Sequence, residues 1–138
     1  MKLMIFILSQ LLHCFQKSKN LNYFSHIFFI RFEKNQLIIK REQNFNEIIF
    51  ISEGEVELSF EINGTKYSRF FSHGFYFGDY NILAQKPNEF NYTAKSTCKC
   101  FCFPKTKFLK IINKHSKIKD LILDNSFQNY KAINLILV

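Results

Sequence analysis

An Asn-Gly pair between two alternating runs constrains this chain more than any other feature. Glu55-Val56-Glu57-Leu58-Ser59-Phe60-Glu61-Ile62 places polar groups on one side and apolar groups on the other. Successive side chains of a strand point to opposite faces, so the run reads as a half-buried antiparallel strand. Asn63-Gly64 supplies two residues that accept positive φ, which a two-residue hairpin loop requires. Thr65–Phe71 returns as the partner strand. A hairpin with one dry face must bury that face against a second layer.

Further strands are predicted on both sides of this hairpin. His26–Phe32 and Leu37–Arg41 carry the aromatic and β-branched content of strands. Ile48–Ser52 is almost wholly apolar, which places it centrally in a sheet. Glu53-Gly54 marks a turn or bulge after it. Phe90–Thr93 and Thr97–Phe103 complete the set, and Pro104 ends the last strand and can open a helix. Many short strands with turn signals between them argue for a sandwich or roll rather than a parallel sheet.

Helices are expected at both ends. Residues 3–15 read as an amphipathic or buried helix, and Lys17–Asn22 as a turn. The apolar opening also fits the core of a signal peptide, but no small-x-small cleavage site follows it. It is shorter than the roughly 20 residues that span a bilayer. From Lys105 to Leu123, Phe108, Leu109, Ile111, Ile112, Ile118, Leu121 and Ile122 recur at helical spacing, with a break near His115-Ser116. Residues 124–138 extend this as a further helix or tail. The expected organisation is an N-terminal helical segment over 1–20, a β-roll with its first C-terminal helix over 21–123, and a tail over 124–138. The fold class is mainly β with flanking helices.

Charge and cysteine usage limit the function classes. Nineteen Lys and Arg against 11 Asp and Glu give a net charge of +8, which favours anionic partners. No nucleic-acid motif is present, so nucleic acid is not an expected partner. Lys105, Lys107, Lys110, Lys114, Lys117 and Lys119 stud the C-terminal helical region and read as a solvated face, or as a surface for acidic lipid or a neighbouring subunit. Cys98, Cys100 and Cys102 alternate, so they share one strand face, while Cys14 stands apart. That is the pattern of reduced thiols filling a core, and it implies a cytoplasmic compartment. It is not the paired spacing of a zinc site, so no metal is expected. His13, His26, His73 and His115 show no metal or dyad spacing. No Ser–His–Asp, Cys–His, P-loop or dinucleotide pattern emerges, and no enzyme is expected.

One stretch carries chemistry of its own. Gly74-Phe75-Tyr76-Phe77-Gly78-Asp79-Tyr80-Asn81-Ile82-Leu83 offers a glycine turn, a carboxylate and the start of a short helix ending before Pro87. A helix start presents unpaired N–H groups to an anion, and glycine lets the backbone approach it. Together with Phe50–Leu58 and Cys98–Leu109, this stretch resembles the cyclic nucleotide-binding domain family. The resemblance runs from about Ser25 to about Leu123. It is closest to the domains of voltage-gated potassium channels of the ether-à-go-go, hyperpolarisation-activated and ciliate types, of which Gly78-Asp79-Tyr80 has the flavour.

The resemblance implies a jelly-roll-like β-roll of the cyclic nucleotide-binding type, with C-terminal helices that cap the ligand. The pocket it implies comprises Phe77, Gly78, Asp79, Tyr80, Asn81, Asn88, Glu89 and Phe90. Asp79 stands at the ribose-binding carboxylate, one methylene shorter than the usual Glu. Asn88 stands where the family has its phosphate-binding arginine, and Glu89 where it has a small or hydroxyl residue. Losing a charge-assisted contact to a desolvated anion costs about 2–5 kcal/mol. The expectation is therefore a regulatory domain with no cofactor and with weak or no affinity for cyclic AMP or cyclic GMP. Expected partners are channel subunits or a second copy of the chain, with membrane association only through a parent channel. Two rival readings stand beside it. One is a protein-interaction module whose pocket is filled by Tyr80 or Phe90, and the other is a cupin-like metal roll, which would need clustered His and Glu.

Overall fold

The computed structural model describes residues 27–114 and 116–137. The expected N-terminal helix, the signal-peptide alternative, the turn after it, Cys14 and the start of the first strand at His26 lie outside the described residues. Eight strands and three helices follow: β1 (Phe28–Phe32), β2 (Leu37–Ile39), β3 (Glu47–Glu53), β4 (Val56–Ile62), β5 (Thr65–Phe71), β6 (Tyr76–Phe77), α1 (Asp79–Ala84), β7 (Asn91–Ala94), β8 (Cys98–Pro104), α2 (Lys105–Lys114) and α3 (Ser116–Leu137). The strands form two four-stranded antiparallel sheets, in the orders β1-β8-β3-β6 and β2-β7-β4-β5. The two layers and flanking helices match the β-roll that the sequence predicts.

The hairpin forms as its residues require. Asn63 and Gly64 both take positive φ, 53° and 79°, and pairing runs without a slip from Ile62↔Thr65 to Val56↔Phe71. That register selects the dry face. Val56, Leu58 and Phe60 point inward with Phe71, Arg69 and Tyr67 opposite them, and β7 adds Ala94 beside Val56 and Tyr92 beside Leu58. Val56, Leu58 and Ala94 are fully buried. The facing sheet contributes Cys98, Cys100 and Cys102, each with no exposed surface, next to Ile49, Ile51 and Phe32. Burial pushes the Cys100 and Cys102 thiols up to about 12, so these cysteines are small core fillers. Among the described residues, no group of His, Cys, Asp and Glu is placed to hold a metal ion.

On the outer side of this sheet an aromatic ladder crosses all four strands. Phe29 meets Phe101 edge-on at 6.2 Å, Phe101 stacks on Phe50 at 4.9 Å, and Phe50 stacks on Tyr76 at 5.4 Å. Each pair sits directly opposite in the register, where cross-strand aromatic contacts are strongest.

Several boundaries differ from the sequence reading, each for a local reason. β2 stops at Ile39, not Arg41, because Glu42 takes φ 75° and the Arg41 N–H donates to Asn91 Oδ1 at 2.8 Å. Tyr76–Phe77 pairs with β3 as a two-residue strand that the cassette reading did not separate out. The break expected near His115-Ser116 falls where α2 ends at Lys114 and α3 opens at Ser116, and α3 runs continuously through 123 and 124. Among the described residues, no helix is long and apolar enough to cross a membrane.

Gly54 carries the chain from one sheet to the other. Its φ is 98°, and an added Cβ would lie 2.5 Å from Thr97 O and 2.7 Å from Cys98 Sγ. Gly64 also takes positive φ but faces open space. Gly54→Ala is therefore expected to cost about 2–5 kcal/mol through strain and overpacking, against about 1 kcal/mol for Gly64→Ala. Urea unfolding of the two variants checks this, and equal losses would show that the Gly54 crossing is not tightly packed.

Candidate functional site

The cassette is built around α1, a helix of only six residues. Gly78 precedes it at φ 101°, where an added Cβ would come within 2.9 Å of Glu47 O and of the Phe45 ring. The position thus needs glycine for both its backbone angle and its close packing. Gln85 ends the helix at φ 55°, and Lys86 N–H donates back to Asn81 O at 2.9 Å. Asn81 Nδ2 donates to Pro87 O at 3.0 Å, which folds the following loop against the helix.

Asp79 opens α1 and is buried. Its carboxylate accepts a hydrogen bond from the Ser126 hydroxyl of α3, 47 residues further along the chain. Burial pushes the Asp79 carboxyl above its ordinary range, while the Ser126 bond and the backbone N–H groups of Tyr80 and Asp79 act against that rise. Tyr80 continues the same contact, with its ring tilted against Phe127 at 6.3 Å and Lys86 Nζ 5.9 Å from its centroid. The first turn of α1 is therefore held by α3. On α3, Ile122 and Ser126 are both buried and stand four residues apart on one helical face.

Asn88 is 1% exposed, and its polar atoms are engaged by the protein. Nδ2 donates to Lys40 O at 3.0 Å and to Phe90 O, while Oδ1 accepts from Phe90 N–H at 3.1 Å. Its backbone adds two more ties, Asn88 N–H to Gln43 O at 3.0 Å and Glu42 N–H to Asn88 O at 2.7 Å. Both amide hydrogens are thus committed to backbone carbonyls. Asn88 fastens the loop before β7 to the turn after β2.

The remaining members of the set lie in different surroundings. Phe77 is buried and stacks on Tyr92 at 4.3 Å. Phe90 is buried against Phe60 at 6.0 Å, and Phe60 in turn stacks on Tyr67 at 5.3 Å. Glu89 is exposed. Phe77 and Phe90 therefore belong to the inner aromatic packing, Asp79 and Tyr80 face α3, and Asn88 is a loop fastener. Ser126 and Arg69 are absent from the sequence-derived set. Arg69 stands on the inner face of β5 opposite Leu58, its guanidinium 5.5 Å from the centre of the Phe71 ring. The alternation of Thr65–Phe71, combined with the Asn63-Gly64 register, was the signal that could have placed it. Two strand spacings, about 10 Å, separate it from β7.

A family profile described as the cyclic nucleotide-binding domain matches residues 29–115, more than half of the chain. The chain belongs to the cyclic nucleotide-binding domain family. Solved structures share the fold. A candidate cyclic nucleotide binding protein from Ruegeria pomeroyi superposes with a TM-score of 0.66 at 18% identity, over 83% of this chain and 51% of its own. The regulatory domain of Toxoplasma gondii PKA, crystallised with cAMP, gives 0.65 at 16% identity, over 77% and 41%. The catabolite activator protein of Thermus thermophilus gives 0.68 at 13% identity, over 82% and 54%. The chain spans about half the length of the Ruegeria and Thermus proteins. No curated protein matches it.

In this cyclic nucleotide-binding domain, the burial of Asp79 sets a pH response, which the Ser126 bond opposes. A carboxyl whose folded pKa is raised binds its proton more tightly in the folded state. Its contribution is fully present below the unfolded value, about 3.9, and is lost as pH rises towards the folded value. Asp79→Asn, which cannot ionise, should therefore gain stability relative to the parent as pH rises from 4 to 7. Ser126→Ala should cost about 1–3 kcal/mol by leaving the buried carboxyl short of a donor. Urea unfolding across this pH range reads both effects, and a parent-to-Asp79→Asn difference that stays flat with pH would refute the first.

Proposed function

We propose that this chain is a regulatory domain of the cyclic nucleotide-binding type whose ligand cassette is occupied by its own residues, so that cyclic AMP and cyclic GMP bind weakly or not at all. The observation that carries this reading is the state of Asn88. At the position where the family resemblance puts the phosphate-binding cation, a neutral side chain has donated both of its amide hydrogens to Lys40 O and Phe90 O. A cyclic phosphate entering there would lose its water without gaining a charged partner, a deficit of about 2–5 kcal/mol. Asp79, at the position for the ribose hydroxyl, already accepts from Ser126.

The regulatory element in this reading is the docking of α3 on α1. Asp79–Ser126 and Tyr80–Phe127 hold the helix against the cassette through the protein's own side chains. Any partner that competes for α3, or for the first turn of α1, would shift the population between docked and released helix. The Gly78-Asp79-Tyr80 run favours a parent protein of the potassium-channel type, with the domain at the cytoplasmic face of the membrane and neighbouring subunits as its partners. A module that binds protein and no nucleotide is the second reading, favoured by the burial of Phe90 against Phe60 inside the roll.

Thermal unfolding with and without millimolar cyclic AMP or cyclic GMP tests the proposal. A ligand at 100 times its dissociation constant would add about 2.7 kcal/mol of stability. The expected result is no measurable shift with either nucleotide. Calorimetric titration yielding a micromolar or tighter dissociation constant would overturn the self-occupied cassette.

A further inference from the structure

A cavity of about 570 Å³ opens outside the roll, between the end of α1, one face of α2, the first turn of α3 and the loop at residues 44–45. Asp79 and Asn88 do not border it. Three lysines do: Lys86 just past α1, Lys105 at the start of α2 and Lys119 on α3. Asn113 stands eight residues beyond Lys105, and so on the same face of α2, where its Oδ1 lies 3.5 Å from Lys119 Nζ. Phe45 and Ile82, both buried, provide apolar wall.

No Asp or Glu is among the described residues that line this cavity. Three lysines elsewhere in the fold have carboxylate partners. Lys66 and Lys95 lie 3.0 and 3.6 Å from Glu57, and Lys99 lies 3.4 Å from Glu53. Three ammonium groups around one concave space repel each other, and the field they sum to attracts an anion. Lysine binds phosphate as a point charge with three rotatable donors. The volume is that of a small-molecule site.

We propose that this cavity binds a small phosphorylated solute of up to nucleotide size, carrying at least two negative charges. The ligand sits against Lys86, Lys105 and Lys119, with Asn113 positioned to share in binding its oxygens. Because these groups come from α2, α3 and the segment just past α1, the bound anion clamps the end of α1, α2 and the start of α3 together. The site shares Asn81 with the candidate cassette but takes its three cations from outside it, so it stands whether or not a cyclic nucleotide binds there.

The test uses the full chain with pyrophosphate and with ATP as probes, in thermal unfolding and calorimetric titration at constant ionic strength. Saturable binding with a rise in melting temperature is expected. Lys105→Gln and Lys119→Glu should each weaken it about tenfold or more. Lys34→Glu, in the exposed turn between β1 and β2, makes the same charge change as Lys119→Glu away from the cavity and should leave affinity within about twofold. Circular dichroism melts of each variant show whether it is folded, and Lys119→Ala, expected to weaken binding in the same direction, replaces Lys119→Glu if the reversed charge unfolds the chain. Absence of binding at millimolar probe would overturn the proposal. So would an equal loss in Lys34→Glu, which would mean diffuse charge attraction, or displacement of pyrophosphate by equimolar cyclic AMP, which would place the anion in the cassette.

Discussion

The register of the β4–β5 hairpin is the constraint on which the rest depends. A slip of one residue would turn Val56, Leu58 and Phe60 to water and bring Glu57, Ser59 and Glu61 inside. Nothing on the facing sheet could receive those carboxylates, since Cys98, Cys100, Cys102 and Ile51 form an apolar surface there. Asn63-Gly64 fixes the alignment locally, and β7 repeats it through Leu58↔Tyr92 and Ser59↔Asn91. The position of β7 in turn determines where Asn88 and Phe90 stand.

Within that frame, polar burial explains the bonding of Asn88 and Asp79. A buried carboxylate or amide without partners costs several kcal/mol, so each must find hydrogen bonds from the protein, from water or from a ligand. Asn88 takes its bonds from the chain around Lys40 and Phe90, and Asp79 takes one from Ser126. A long cation at residue 88 would have to leave its charge in that same dry loop. The neutral carboxamide is short enough to be satisfied by backbone alone. The packing of Phe90 against Phe60, and of Tyr92 against Phe77, then fills the neighbouring volume with rings.

Local signals carried most of the fold and only part of the site. The hairpin, the apolar β3 and the shared face of the three cysteines follow from period-two alternation and one turn dipeptide, all within a few residues of each other. The boundary between α2 and α3 was marked by His115-Ser116. The family resemblance, aligned without gaps through Pro87 and Ala94, put Asn88 at the family's cation position. Its ties to Lys40 could not be read, because 48 residues separate the two and only tertiary pairing of β2 with β7 joins them. The same applies to Ser126. A serine in a helix of mixed character carries no mark of its partner, and the 47 residues between it and Asp79 are crossed only once α3 has folded back. β6 was hidden because two residues give no periodicity.

A six-residue helix cannot hold itself in water, since nucleating it costs more than its few internal bonds return. The position of α1 is therefore set by what touches it. One side leans on α3 through Asp79 and Tyr80, the glycine before it is pressed on Phe45, and its far end borders the lysine-lined cavity through Asn81, Ile82 and Leu83. Each contact belongs to a different element of the fold. Moving α3 by one turn would remove the Ser126 hydroxyl from Asp79 and shift Lys119 away from Lys86 in the same motion, because both residues ride on one rigid helix. The cassette set and the cavity share Asn81, and Lys86 Nζ lies 5.9 Å from the centre of the Tyr80 ring, so α1 and α3 join the two, and a change imposed at either would reach the other as a change in helix docking.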